Sequence, residues 1–158
     1  MEVVKKTQVV SVDLIIQDDK GRILVGKRKN SPAKGTYFVP GGRIYKQENI
    51  TQGFKRILKD EIGITNMSKV RWSFNCITDH IYPDNFADAL DENGDSIPMH
   101  FVCIGINVYL DVGIEFDRET FQIQHDECLW LTPKELLLHK NVHDYTKRYF
   151  IESDKKVC

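Results

Sequence analysis

Within GGRIYKQENITQGFKRILKDEIGI, residues 41–64, a Gly-Gly pair stands ahead of Glu48 and of a stretch carrying Arg56, Asp60 and Glu61. A tight glycine turn exposes backbone carbonyls and amides, here beside a carboxylate-bearing helix. Glu61 can offer one hard oxygen ligand and a carbonyl of the turn another, the donor type that Mg²⁺ prefers. A cation held there would neutralise diphosphate oxygens and improve a nucleotide as a leaving group. The plainer reading is a solvated amphipathic helix, entered through Gly-Gly and closed by Gly63. A carboxylate-rich helix taken alone favours that reading. The complete spacing argues against it: Gly42, five residues, Glu48, seven residues, Arg56, then Leu58, Glu61, Gly63 and Ile64. So many fixed positions are far more specific than a lone glycine motif.

Other residues able to do chemistry are scattered. Asp13 interrupts the apolar run Val9-Val10-Ser11-Val12-Asp13-Leu14-Ile15-Ile16 and, on strand alternation, shares a face with Ser11 and Ile15. An unpaired buried carboxylate is costly, so Asp13 either faces a ligand cleft or has a structural partner. Arg28 lies in Gly26-Lys27-Arg28-Lys29, which could be nothing more than a solvated basic strand end. Arg43 follows Gly-Gly directly and is less easily dismissed. His80 ends a strand-like stretch, where a half-exposed imidazole is the bland alternative. Gln124-His125-Asp126-Glu127 reads as a loop entering a strand, and a loop histidine is more often surface decoration than a base. Tyr82, Asp84, Asn85 and Phe86 open a long polar segment in reach of a ligand. Arg56 and Asp60 are one helical turn apart and read as a surface pair of small energetic value. His139 and His143 receive no chemistry.

The elements that must position these residues follow from pattern. Residues 9–16 read as a strand, Asp18-Asp19-Lys20-Gly21 as a turn, residues 23–26 as a second strand, and residues 37–39 as a third running into Pro40-Gly41-Gly42. From residue 50 to 62 the period becomes helical, with Ile50, Phe54, Ile57, Leu58 and Ile62 on one broad face and Gly63 as terminator. Strands follow at 70–81 and 101–110, separated by DNFADALDENGDSIP, a polar loop containing Asn93-Gly94. Thr132-Pro133-Lys134-Glu135 makes a capping box with proline at the first helical position, and a last helix is expected over 142–151. Strands, a helix, more strands and terminal helices predict a mixed sheet flanked by helices, of the α/β (α+β) class.

The 158 residues fit one domain, spanning 1–158. A hydrophobic fraction of 41% and a charged fraction of 28% are those of a globular protein. A net charge of −1 leaves no basic excess for a nucleic-acid backbone, so an anionic ligand needs local Lys, Arg, metal or backbone N–H groups. No apolar run reaches the ~18 residues that span a bilayer. Cys76, Cys103, Cys128 and Cys158 form no CxxC pair and read as small core or surface residues, in keeping with a reducing cytoplasm.

The spacing over residues 41–64, with the apolar strand ending in Pro40, resembles the Nudix box, and the chain is identified as a member of that superfamily. It departs from the common box at Ile57, where a glutamate normally follows the arginine, and at Asp60, the first of the usual glutamate pair. GDP-mannose mannosyl hydrolases lack the same acidic positions. VSVDLII, GKR, NSPAKG, YFVPGGR, FKR, DEIGI, YPDNF, QHDE, LWLT and NVH all resemble segments of that subfamily, covering residues 9–150. The resemblance implies a Nudix-like α/β/α sandwich and a Mg²⁺-dependent hydrolase, with Mn²⁺ as an alternative ion. It implies attack by water at C1 of the sugar of GDP-mannose, with inversion, releasing GDP. The metal would be held by the carbonyl of Gly41, the carboxylate of Glu61 and the amide oxygen of Gln124. His125 would be the general base, Arg28 and Arg43 would stabilise the departing diphosphate, and Asp13 and His80 would line the sugar end. Tyr82, Asn85 and Phe86 would touch sugar or base. A homodimer is also implied. Phe101 stands where the subfamily commonly has tyrosine, and residues 87–99 are longer than usual, so another hexose is admitted. The alternatives are a conventional pyrophosphohydrolase attacking phosphorus, and a non-catalytic domain that binds nucleotide sugars.

Overall fold

The computed structural model describes residues 7–87, 89–114 and 116–151. Seven strands form one mixed sheet: β1 (Val9–Gln17), β2 (Ile23–Arg28), β3 (Tyr37–Phe38), β4 (Gly41–Arg43), β5 (Val70–Tyr82), β6 (Met99–Leu110) and β7 (His125–Leu131). The central path runs β3-β2-β1-β6-β5, with β4 paired to β1 and β7 to β2. β1 lies parallel to β6 and antiparallel to both β2 and β4.

The helices are α1 (Ile50–Ile62), α2 (Arg118–Gln122), α3 (Pro133–Leu138) and α4 (Asp144–Lys147). α1 has the predicted bounds, because both ends are signalled locally. Asn49 and Gln52 form a capping box, and Gly63 takes a left-handed φ of 73° that a residue with a Cβ resists. Thr132 and Glu135 cap α3, as their spacing predicts.

Alternation along β1 sorts its side chains into two cores. Val12, Leu14 and Ile16 meet Phe54, Ile57, Leu58 and Ile62 of α1, with Phe121 of α2. On the other face Ile15 meets Leu136, Val142 and Tyr149 from the C-terminal part of the chain. Helices thus cover both faces of the sheet, giving the three layers expected.

Several expectations are corrected. Ile50 is 52% exposed although its spacing places it with the core residues, because it stands at the very first position of α1. The last helix is not continuous over 142–151; α4 passes into a 3₁₀ turn at Arg148–Phe150. α2 is a short helix that the sequence pattern did not announce, capped by Asp117. Cys76 is disulfide-bonded, Cys103 and Cys128 are free, and Cys158 lies outside the described residues. No helix among the described residues is long and apolar enough to cross a membrane.

Candidate active site

A cleft of about 440 Å³ opens where β1, β4, β6, the end of β2 and the C-terminal half of α1 converge. Its walls include Asp13, Arg28, Gly41, Arg43, Glu61, His80, Tyr82, Phe86 and Gln124. A smaller recess of about 90 Å³ joins Arg28, Gly41, Glu61 and Gln124 to His125. Ten of the eleven residues to which the resemblance assigns a role are therefore gathered along one connected surface. Asn85 is the exception.

The recess is built by strand pairing. Asp13 of β1 stands opposite Gly41 of β4, and Arg28 of β2 opposite His125 of β7, beside a register shift in the β2–β7 pair. A Cβ at Gly41 would lie 2.6 Å from Asp13 Oδ1 and 2.7 Å from the Val12 carbonyl, so β4 approaches β1 as closely as only glycine permits. A Cβ at Gly26 would collide with the His125 ring and with Phe121.

His125 is buried and stacked on Phe121, ring centroids 4.2 Å apart, with Nδ1 3.2 Å from the Phe121 carbonyl oxygen. That carbonyl can only accept a hydrogen bond, which favours the Nδ1–H tautomer and leaves Nε2 with its lone pair. Burial depresses the imidazole to about 4, so the ring is neutral at pH 7.

Glu61 carries the opposite perturbation. Burial raises its carboxyl to about 7, which the Arg28 charge partly offsets and Asp60 reinforces. Among the described residues its carboxylate has no hydrogen-bond or ion-pair partner. A desolvated, unpartnered carboxylate beside a glycine carbonyl and the Gln124 amide oxygen is an all-oxygen donor set, and these residues fit a hard divalent cation.

Arg28 reaches both spaces. Its Nε is buried without a hydrogen-bond partner, and its guanidinium lies 5.6 Å from the Phe38 ring centroid. A buried guanidinium donor left open beside a cleft suits an anionic ligand group. Arg43 is exposed at the rim, 4.4 Å from the Phe86 ring centroid.

At the far end, Asp13 accepts from the Tyr149 hydroxyl at 2.7 Å. Burial raises its carboxyl to about 6, while Tyr149 and the Arg28 charge pull it back. His80 is buried, stacked on Tyr145 with centroids 4.4 Å apart and planes within 2°, and depressed to about 3 by burial. Tyr82, also buried, has its hydroxyl pushed up by the same desolvation.

Asn85 is corrected from a ligand contact to a loop organiser. It is 1% exposed. Its Nδ2 donates to the carbonyls of Ala89 and Ile97, and its Oδ1 accepts from the amides of Ala87 and Ala89. Asn93-Gly94 turns that loop back so that Leu90 bridges Ser96. Arg56 is more than the surface partner of Asp60. Its guanidinium bonds both oxygens of Glu48, at 2.7 and 2.9 Å, and donates to the Arg43 carbonyl at 2.7 Å, bracing the glycine loop. Glu48 is held at about 2 by that arginine.

Sequence reasoning missed Tyr149, Cys103 and Phe38, all at this site. None has a local signature; strand alternation from Asp13 could have pointed to the face but not to its partners.

Comparison with known proteins gives a consistent family. A family model described as "NUDIX domain" matches residues 7–152. The chain is similar to the "Low-salt glycan biosynthesis protein Agl8" of Haloferax volcanii, 29% identical over 147 residues, which is 93% of this chain and 83% of that protein. Among solved structures, a MutT protein from Methanosarcina mazei Go1 is similar with a TM-score of 0.65 at 18% identity, covering 92% of each chain. A MutT NUDIX hydrolase from Burkholderia pseudomallei gives 0.64 at 22% identity, covering 92% of this chain and 97% of its own. These two likenesses concern the fold alone.

Proposed function

This chain belongs to the NUDIX domain family, and on that premise we propose that it hydrolyses GDP-mannose, or a related GDP-hexose, to GDP and free sugar by attack of water at C1 with inversion. The observation that carries this reading is the pairing of a neutral, buried His125 with Glu61 in one recess, while the apolar Ile57 is buried at the cleft wall. Ile57 is 1% exposed and would meet a Cβ on Gly42 at 3.1 Å, so it packs rather than ligates. A site short of that acidic ligand is poorly furnished for several metal ions around phosphorus. It retains a base for water and cationic groups for a leaving diphosphate. The similarity to a protein of glycan biosynthesis supports a nucleotide-sugar substrate.

A divalent cation, Mg²⁺ or Mn²⁺, held by the Gly41 carbonyl, Glu61 and Gln124, would withdraw charge from the diphosphate as the glycosyl bond breaks. His125 accepts the water proton at Nε2, with Nδ1 anchored on the Phe121 carbonyl. Arg28 and Arg43 neutralise the departing oxygens. Asp13 and His80 line the sugar end, and the side chain of Phe86 beside Arg43 offers a flat apolar contact. Phe101 lines the cleft without a hydroxyl to donate.

Hydrolysis of GDP-mannose with Mg²⁺ in heavy-oxygen water tests the reading. Label in free mannose beside unlabelled GDP is the expected result. Label in a phosphate, with GMP and mannose 1-phosphate, would instead establish a pyrophosphohydrolase. No turnover of any GDP-hexose, with binding intact, would leave a non-catalytic binding domain. Glu61→Gln should weaken the Mg²⁺ dependence together with turnover; an unchanged titration would remove Glu61 from the ligand set.

A further inference from the structure

Deep in the sugar end of the cleft, three side chains of different chemistry converge. The Asp13 carboxylate, His80 Nδ1 and Cys103 Sγ all lie within 4.8 Å of one another, and all three residues are buried. His80 Nδ1 is 3.2 Å from the sulfur and 3.9 Å from Asp13 Oδ2. We propose that Asp13, His80 and Cys103 form a binding site for a borderline-soft divalent cation of the zinc class, separate from the all-oxygen set at Gly41, Glu61 and Gln124.

The spacing suits such an ion. Bonds of about 2.0–2.3 Å to nitrogen, oxygen and sulfur place tetrahedral donors roughly 3.3–3.7 Å apart, within a short adjustment of what is seen. Each donor is already oriented by a neighbour. Tyr149 donates to Asp13 Oδ2 at 2.7 Å, Ser11 Oγ donates to Cys103 Sγ at 3.0 Å, and Tyr145 stacks flat on the His80 ring. Hydrogen bonds such as those to Asp13 and Cys103 fix ligand geometry in metal sites, while His80, whose Nε2 is buried without a hydrogen-bond partner, is held by ring packing.

Charge balance favours occupancy. A divalent cation with one carboxylate, one thiolate and one neutral imidazole is neutral overall, which relieves the cost of ionising groups in a buried place. Binding releases the Cys103 thiol proton to solvent, leaves Asp13 ionised and takes the lone pair of His80 Nδ1. The thiolate discriminates against Mg²⁺, which favours oxygen donors. Asp13, His80 and Cys103 all line the 440 Å³ cleft, so an ion has an entry path, and its fourth position is left to water or to a ligand in the cleft.

The test is titration of the metal-free full chain with Co²⁺ as a spectroscopic stand-in, followed by displacement with Zn²⁺. A thiolate-to-cobalt charge-transfer band should grow to one equivalent and vanish as Zn²⁺ is added. The band should persist in Glu61→Gln and Cys128→Ser and disappear in Cys103→Ser. His80→Gln, which keeps the sulfur, should retain a band but weaken cobalt affinity at least ~10-fold. Absence of the band in the unaltered chain would overturn the proposal. So would its survival in Cys103→Ser, its loss in Cys128→Ser, or unchanged affinity in His80→Gln. The readout is independent of hydrolysis, so it stands or falls separately from the proposed activity.

Discussion

The hydroxyl of Tyr149 donates to Oδ2 of Asp13 across 136 positions of sequence, tying the C-terminal 3₁₀ turn to the central strand at 2.7 Å. A carboxylate that interrupts an apolar strand thereby has both of the roles considered for it. It has a structural partner, and it lines the cleft.

Tyr149→Phe tests that bond. Asp13 is raised from 3.8 to about 6, so the fold holds the proton more tightly than the unfolded chain. Its ionisation costs nothing below pH 3.8, opposes folding increasingly up to pH 6, and does so fully above. Tyr149 lessens that opposition by favouring the charged form. The variant should lose about 1–3 kcal/mol at pH ~8 and clearly less at pH ~5, where Asp13 is largely protonated. Urea unfolding at both pH values measures this, and an equal loss at each would contradict it.

Glu61 ties metal binding to pH by the same logic. Its folded value of about 7 against an ordinary 4.5 means that ionisation destabilises the metal-free fold progressively over that window. A divalent cation replaces the proton and removes the penalty. Mg²⁺ should therefore raise the melting temperature more at pH ~8 than at pH ~5, and Glu61→Gln should abolish the difference. A Mg²⁺ effect independent of pH would place the ion elsewhere.

Gly41→Ala should damage both stability and metal dependence. The added methyl would press on Asp13 Oδ1 and on the Val12 carbonyl, one of them backbone and unable to yield freely. A loss of about 1–3 kcal/mol is expected, with a weaker Mg²⁺ titration of activity. Unfolding curves and metal titrations of the same preparation check it; a neutral substitution would mean β4 can move away from β1.

His125→Ala should lower kcat by roughly 10²–10⁴-fold while the chain still folds. His125→Gln, which preserves more of the packing against Phe121 and Gly26, should be equally inactive. The depressed imidazole is charged only below about pH 4, so the base should not impose an acid limb near the ordinary histidine value of 6.5. Near-normal turnover in either variant would remove the base assignment.

The sequence by itself determined what is encoded locally. α1 carries its own start at Asn49, its own stop at Gly63 and its apolar face at Phe54, Ile57, Leu58 and Ile62. Thr132 and Glu135 mark the start of α3, and the strand of Val9–Gln17 follows from its richness in β-branched residues. The box spacing likewise put Gly42, Glu48, Arg56 and Glu61 in one motif, since all four lie within a single loop and helix.

Tertiary structure decided the rest. Ile50 matches the helical period and is nevertheless exposed, because where α1 meets the sheet depends on packing. Asn85 looks like a ligand contact, but loop closure turns its carboxamide inward to hydrogen-bond Ala87, Ala89 and Ile97. Cys103 reaches Asp13 because β6 runs parallel to β1, and Tyr149 because the C-terminal turn folds back over the opposite face. Periodicity assigns a side chain to a face; which distant side chain meets it there is settled only when strands pair and layers close.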